Sequence, residues 1–231
     1  DLPWMVPDAY CRWLSEIMLQ QTQVSVVIGY YERFLKCFPT VADLACAKES
    51  DVMSLWSGLG YYARARNLLK AAQMVMREFA GVFPTTASEL QKLPGVGKST
   101  AAAVASFCSG EPAAICDGNV KRVLSRVAVF DEPVDAAHGT QAIWGLAQEL
   151  ILAEAPGVFN QAMMDLGAMI CTRTHPKCLL CPVSSFCRAR ALNAEERYPV
   201  KKPAREKEKR LLQLGLWMQN DSVVVIERTQ K

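Results

Sequence analysis

Leu93-Pro94-Gly95-Val96-Gly97-Lys98-Ser99-Thr100 is the stretch on which the reading of this 231-residue chain turns. Just before it, Thr86-Ala-Ser-Glu89 is a capping box that opens a helix of barely two turns. Pro94 stops that helix, and a new helical pattern starts at Lys98. Gly95 and Gly97 let the backbone turn tightly and leave amides uncovered by side chains. Such amides, at the mouth of a helix, suit a DNA phosphate. Two other readings compete. An ordinary turn between helices needs none of this chemistry. Gly97-Lys98-Ser99-Thr100 invites a nucleotide-binding P-loop. The first glycine of that motif would fall at Lys92, and the segment before it reads as helix, not strand. The Leu-Pro-Gly-Val-Gly run favours a helix–hairpin–helix over about residues 86–108.

Outward from this hairpin the chain is helical almost throughout. Tyr10 to Gln20 is an apolar helix with one acid, Glu16, among largely apolar neighbours, where burial would raise its pKa. Thr22 is read as the cap of a second helix whose core face is Val24, Val27, Ile28, Tyr31, Phe34 and Leu35. Thr40-Val-Ala-Asp43 starts a short helix. Asp51 to Trp56 is another, closed by Gly58. A long one runs from about Ala63 to Phe79, and further helices fit Gly139–Ala153 and Phe159–Ile170. Only Leu211–Met218 and Val223–Glu227, joined at Asn220-Asp221, read as strands, forming a hairpin. The sequence shows no internal repeat.

Asp117-Gly-Asn119 is a polar turn that runs into a helix with Val120, Val123, Leu124 and Val127 on one face and Lys121, Arg122 and Arg126 elsewhere. Asp117 or Asn119 caps it. A carboxylate at a helix mouth beside basic side chains is also placed to stay charged and do chemistry.

Bulk properties set the frame. Half of the residues are apolar and the net charge is +3, so the chain is globular, with one large or two small domains. The segment 201–210 is mostly basic and reads as a solvated linker with some pull on polyanions. No apolar run approaches the roughly 18 residues needed to span a bilayer, and no stretch reads as a signal peptide. Of the nine cysteines, five are scattered and read as buried thiols, while four form Cys171-x6-Cys178-x2-Cys181-x5-Cys187. Four thiolates so spaced can enclose one metal centre, zinc or a [4Fe–4S] cluster. A zinc ribbon has two C-x2-C knuckles and this loop has one, which favours the cluster. Arg173, Lys177, Arg188 and Arg190 around the loop add phosphate affinity. Reduced cysteines imply a cytoplasmic compartment.

These runs together resemble one family. Ser15-Glu-Ile-Met-Leu-Gln-Gln-Thr-Gln23, Gly58-Leu-Gly-Tyr-Tyr-Ala-Arg-Ala-Arg-Asn67 and the Leu93–Thr100 hairpin carry the resemblance. Asp117-Gly-Asn-Val-Lys-Arg-Val-Leu124, Phe159-Asn-Gln-Ala-Met-Met-Asp-Leu-Gly167 and the cysteine loop complete it. Over roughly residues 1–200 the chain is similar to the catalytic domain of adenine DNA glycosylases of the MutY type, in the endonuclease III superfamily.

The resemblance implies an all-α fold with the DNA cleft between two domains. One is a six-helix barrel over 10–110 that carries the hairpin. The other is an iron–sulfur cluster domain made of 1–9 and 111–198. A basic linker (199–210) would lead to the start of a Nudix-like domain cut short (211–231). The implied activity is base excision of adenine mispaired with 8-oxoguanine or guanine in double-stranded DNA. The protein is expected as a monomer with no membrane partner, in a bacterial-type cytoplasm with nucleoid-associated activity.

Residue by residue, Glu16 matches the general acid and Asp117 the carboxylate facing C1′, held by Asn119. Gln21 and Tyr61 match residues that wedge into the duplex, and Gln161 a position lining the adenine pocket. Leu93, Gly95, Gly97, Lys98 and Ser99 fall in the DNA-contacting hairpin, with a cation on its carbonyls left open. The four cysteines match the cluster ligands. Bifunctional relatives carry a Schiff-base lysine where this chain has Ser99, so little or no strand cleavage is expected. A pyrimidine-specific glycosylase of the same fold, a non-catalytic DNA-binding cluster protein and a zinc module are the rivals.

Overall fold

A computed structural model of the chain describes residues 2–202 together with 218–219 and 222–223. Ten helices set the frame. The first seven are α1 (Ala9–Leu19), α2 (Val24–Cys37), α3 (Val41–Ala45), α4 (Glu49–Trp56), α5 (Ala63–Glu78), α6 (Ala87–Leu90) and α7 (Lys98–Cys108). The next three are α8 (Gly118–Ala128), α9 (Ala137–Leu150) and α10 (Pro156–Asp165), the last running on into a π-helical turn, Leu166–Ile170. Short 3-10 and helical turns follow around the cysteine loop. No helix among the described residues is long and apolar enough to cross a membrane.

Local chemistry starts these helices. Asp8 accepts from the Cys11 amide at the mouth of α1 (2.7 Å). Thr40 and Asp43 form a reciprocal capping box on α3. Thr86 caps α6 and Asp117 caps α8. Thr22 does not cap α2. That position falls to Gln23, with no side-chain bond, because the Thr22 hydroxyl is taken by Arg64 (Nη2 to Oγ1, 3.1 Å). Val24, expected on the core face of α2, is 43% exposed; Val27, Tyr31 and Phe34 carry the burial.

The main core is built from α1 to α7 around Trp13, Leu14, Met18, Phe34, Trp56 and Leu68. Burial of each such side chain contributes about 2 kcal/mol or more. A second core joins α8 and α9 through Val120, Leu124, Val134 and Ile143. Helix α7 is buried on two sides: Ala101, Val104 and Ala105 join the first core, while Ala102 and Ala103 pack with Ile115. Its run of small residues lets neighbours come close. A methyl at Gly157 of α10 would meet the Ser106 carbonyl at 3.0 Å.

Within the predicted β-hairpin, Met218–Gln219 pairs antiparallel with Ser222–Val223. The rest of that segment lies outside the described residues.

Candidate active site

A cleft of about 630 Å³ opens between α1, the turn after it, the start of α7, the segment Ile115–Asn119 and α10. Glu16, Ser99, Asp117, Asn119 and Gln161 all line it. Residues drawn from four separate stretches of the chain therefore face one space.

Glu16 reaches the cleft from α1, with its side chain 16% exposed and the Arg12 Nε 3.1 Å from its Oε1. Burial raises its pKa, Asp117 raises it further, and Arg12 opposes both. Asp117 stands opposite, at the mouth of α8. Its Oδ1 accepts from the amides of Asn119 (2.9 Å) and Val120 (2.8 Å). Its Oδ2 accepts from Asn119 Nδ2 at 3.3 Å. Asn119 is itself held, since Arg122 Nη2 donates to its Oδ1 (2.8 Å). Arg122 also donates to the carbonyls of Gly167 (2.5 Å) and Cys171 (2.7 Å), tying the turn to the π-helix and the cysteine loop. The approach is so close that a methyl at Gly167 would meet Asn119 Cβ at 2.6 Å.

Ser99 Oγ accepts from the Cys116 amide at 3.3 Å, so the hydroxyl is tethered one residue from Asp117. Gln161 donates to Asp165 Oδ1 (2.9 Å) and accepts from Arg12 (3.4 Å). Gln21 lines the cleft while Tyr61 lies outside it, and both are at positive φ (57° and 49°). They share a shallow depression with Arg64. Arg64, buried, donates to the carbonyls of Ile17, Met18 and Gln20 at 2.7–2.9 Å. It thereby satisfies the C-terminal end of α1 and holds the Gln20–Gln21 turn.

In the hairpin, Gly95 adopts φ +78°, where a Cβ would press on Asn67 at 2.9 Å. Gly97 has open space around it and serves as N-cap of α7. Its side-chain absence is therefore not required by packing. Lys98 Nζ lies 4.2 Å from the Trp144 ring centroid. Leu93 is 2% exposed and packs into the main core, so its side chain anchors the hairpin from inside.

Cys171, Cys178, Cys181 and Cys187 line one small cavity with Arg126, Ile170 and Glu195, and all four are free thiols. Among the described residues, no three His, Cys, Asp or Glu side chains are grouped so as to hold a single metal ion. Arg126, off the apolar face of α8, is nevertheless buried, 1% exposed. Its guanidinium donates to the Thr172 and Arg173 carbonyls (2.7 and 3.1 Å) and to the Cys171 sulfur (3.2 Å). No structural role for Arg12, Arg64, Arg122 or Arg126 was read from the sequence. Arg12 did leave a signal, its i, i+4 spacing to Glu16.

The helices thus set a glycine hairpin beside a cleft that two carboxyl groups share. The chain belongs to the HhH-GPD superfamily of base excision DNA repair proteins, whose model matches residues 14–148. Within that superfamily it is similar to the adenine DNA glycosylase of Homo sapiens, 48% identical over 200 residues, covering 82% of this chain and 37% of that one. It is 43% identical over 189 residues to the adenine DNA glycosylase of Buchnera aphidicola subsp. Baizongia pistaciae, covering 81% of this chain and 53% of that one. The chain thus spans about half or less of the length of these curated relatives.

Among solved structures, a thermostable thymine-DNA glycosylase is similar at TM-score 0.74 and 29% identity, over 83% of this chain and 89% of that one. Endonuclease III in a non-covalent DNA complex shares the fold at TM-score 0.70 and 24% identity, over 80% of this chain and 86% of that one.

Proposed function

We propose that this chain is a monofunctional DNA glycosylase that excises adenine mispaired with 8-oxoguanine or guanine. One observation carries the reading: Glu16 and Asp117, far apart in sequence, face one cleft with contrasting surroundings. Two carboxyl groups so differentiated suit acid-assisted cleavage of a glycosidic bond. The adenine leaves the stack and enters the cleft. Glu16, neutral, gives its proton to N7 of the base. The C1′–N9 bond breaks, and its electron pair leaves with the protonated adenine. The positive charge left on the sugar faces the Asp117 carboxylate. Glu16, now charged, accepts a proton from the water that attacks C1′, which leaves an abasic sugar and a reprotonated acid. Asn119 holds Asp117 in register. Ser99 offers no amine for a Schiff base, so strand cleavage is not part of the reaction.

DNA binding follows from the hairpin amides, Lys98 and the basic cysteine loop, with Gln21 and Tyr61 entering the duplex beside the lesion. The reading extends to a [4Fe–4S] cluster held by Cys171, Cys178, Cys181 and Cys187. It is supported by four soft sulfur donors lining one cavity and a buried guanidinium beside one of them. Bound there, the cluster would cross-link the loop and offer no open coordination position. Broad visible absorption lost on chelation would support this, whereas a colourless protein carrying zinc would contradict it.

The rival is a pyrimidine glycosylase, favoured by the 29% likeness to a thymine-DNA glycosylase. Single-turnover excision on duplexes holding A opposite 8-oxoguanine, A opposite guanine, or thymine glycol separates the two. Activity on the last alone refutes the proposal. Borohydride trapping of a stoichiometric covalent complex through a lysine would refute the monofunctional part.

A further inference from the structure

Arg12 is the charged group that this mechanism leaves without a task. It stands one turn before Glu16 on α1, is 4% exposed, and lines both the catalytic cleft and a second cavity of about 680 Å³ beside it. Its Nε is 3.1 Å from Glu16 Oε1. Its Nη2 donates to Gln161 Oε1 at 3.4 Å. Its Cζ lies 3.6 Å from the centroid of the Phe107 ring. The Glu16 contact is one of charge, since Nε makes no aligned hydrogen bond. A buried guanidinium with so few bonds is a poor structural device; an apolar side chain of similar volume would fill the place at less cost in desolvation. Its charge and its fork instead serve the two polar side chains it touches, both of which face the cleft.

We infer that Arg12 is a positioning residue that aims Glu16 and Gln161 at the flipped base and sets the pH range over which Glu16 keeps its proton. The inference rests on the reading of Glu16 as the general acid. The charged and titratable groups around Glu16 are few. Arg12 is on its own helix, and Asp8 is at that helix's cap. The Cys108 thiol comes from α7, Asp117 from the mouth of α8, and Asp165 from α10 across the cleft. Arg64, from α5, is engaged by the carbonyls that end α1. Burial and Asp117 favour the neutral acid, and Arg12 pulls the other way.

Neutralising Arg12 therefore lets Glu16 hold its proton to higher pH. The basic limb of the excision rate should move up by about 1 pH unit, the low end of what an opposite charge at this distance does.

The test is single-turnover adenine excision from a duplex with A opposite guanine, from about pH 5 to about pH 9. It compares wild type, Arg12→Met and Arg12→Lys, each also in a Glu16→Gln background. The limb should move up in Arg12→Met and stay in Arg12→Lys, which keeps the charge but not the fork and so loses rate. An unmoved limb in folded Arg12→Met overturns the inference and leaves the glycosylase reading standing. If Arg12→Met fails to fold, Arg12→Gln carries the same expectation. A limb shift that persists in the Glu16→Gln background shows Arg12 acting through another group and also overturns it. A wild type that excises no adenine sinks the glycosylase reading, and this inference with it.

Discussion

Glu16 and Asp117 are the same functional group in two different settings. Glu16 projects from the middle of an apolar helix and has one charged neighbour within contact, Arg12. Asp117 closes the mouth of a helix and accepts three hydrogen bonds from its own turn. Burial makes the first a reluctant anion. The helix start and the Asn119 amide surround the second with donors. A carboxyl group's role is thus set by what surrounds it.

Removing either acid should have the largest effect. Glu16→Gln and Asp117→Asn should each slow adenine excision by about 10³-fold or more while preserving binding to the mispaired duplex. Equal rates in either variant would remove that residue from the mechanism. The pH profile sharpens the contrast. A Glu16 pKa raised by burial means the proton-bearing form survives above the ordinary Glu range. The wild-type rate should fall only as pH rises through that raised value, and Glu16→Gln should lose this limb.

The next largest effect is on stability. Gly167→Ala forces a methyl to within 2.6 Å of Asn119 Cβ. It should lower stability by about 1–3 kcal/mol in denaturant unfolding and slow excision by displacing the Asp117 turn. Asn119→Ala removes one bond to Asp117 and should slow excision by about tenfold, the rate equivalent of one hydrogen bond to a charged group. The smallest expected change is in Gly97→Ala. Its Cβ meets nothing, so stability should stay within about 0.5 kcal/mol. DNA affinity should still fall if a phosphate approaches that amide.

Much of this was legible in the chain. The capping residues Thr40, Thr86 and Asp117, the helix boundaries to within a few residues, and the left-handed Gly58 and Gly95 all follow from local chemistry. Glu16 was legible as an acid among apolar neighbours. What was not legible shares a cause. Thr22 lost its capping role to a guanidinium forty-two positions on. Leu93, grouped with the DNA-contacting hairpin, fills the main core with its side chain, which the local run of residues does not reveal. Arg126, off the apolar face of its helix, is buried all the same, with five acceptors from two segments, 171–173 and 195–198, to satisfy it. A guanidinium is stable inside a protein when carbonyls converge on it, and such convergence leaves no trace in the pattern of neighbouring residues.

The sequence by itself determined the helices, their caps, the glycine turn of the hairpin and the grouping of four cysteines. Each depends on residues a few positions apart, whose interactions survive any larger arrangement. The tertiary structure alone decided that Glu16 and Asp117 open on a common cleft, that Arg12 leans on the acid, and that Arg64, Arg122 and Arg126 are spent inside the protein. Desolvation and charge–charge coupling act through space, and only packing sets which distant groups lie close enough to feel them.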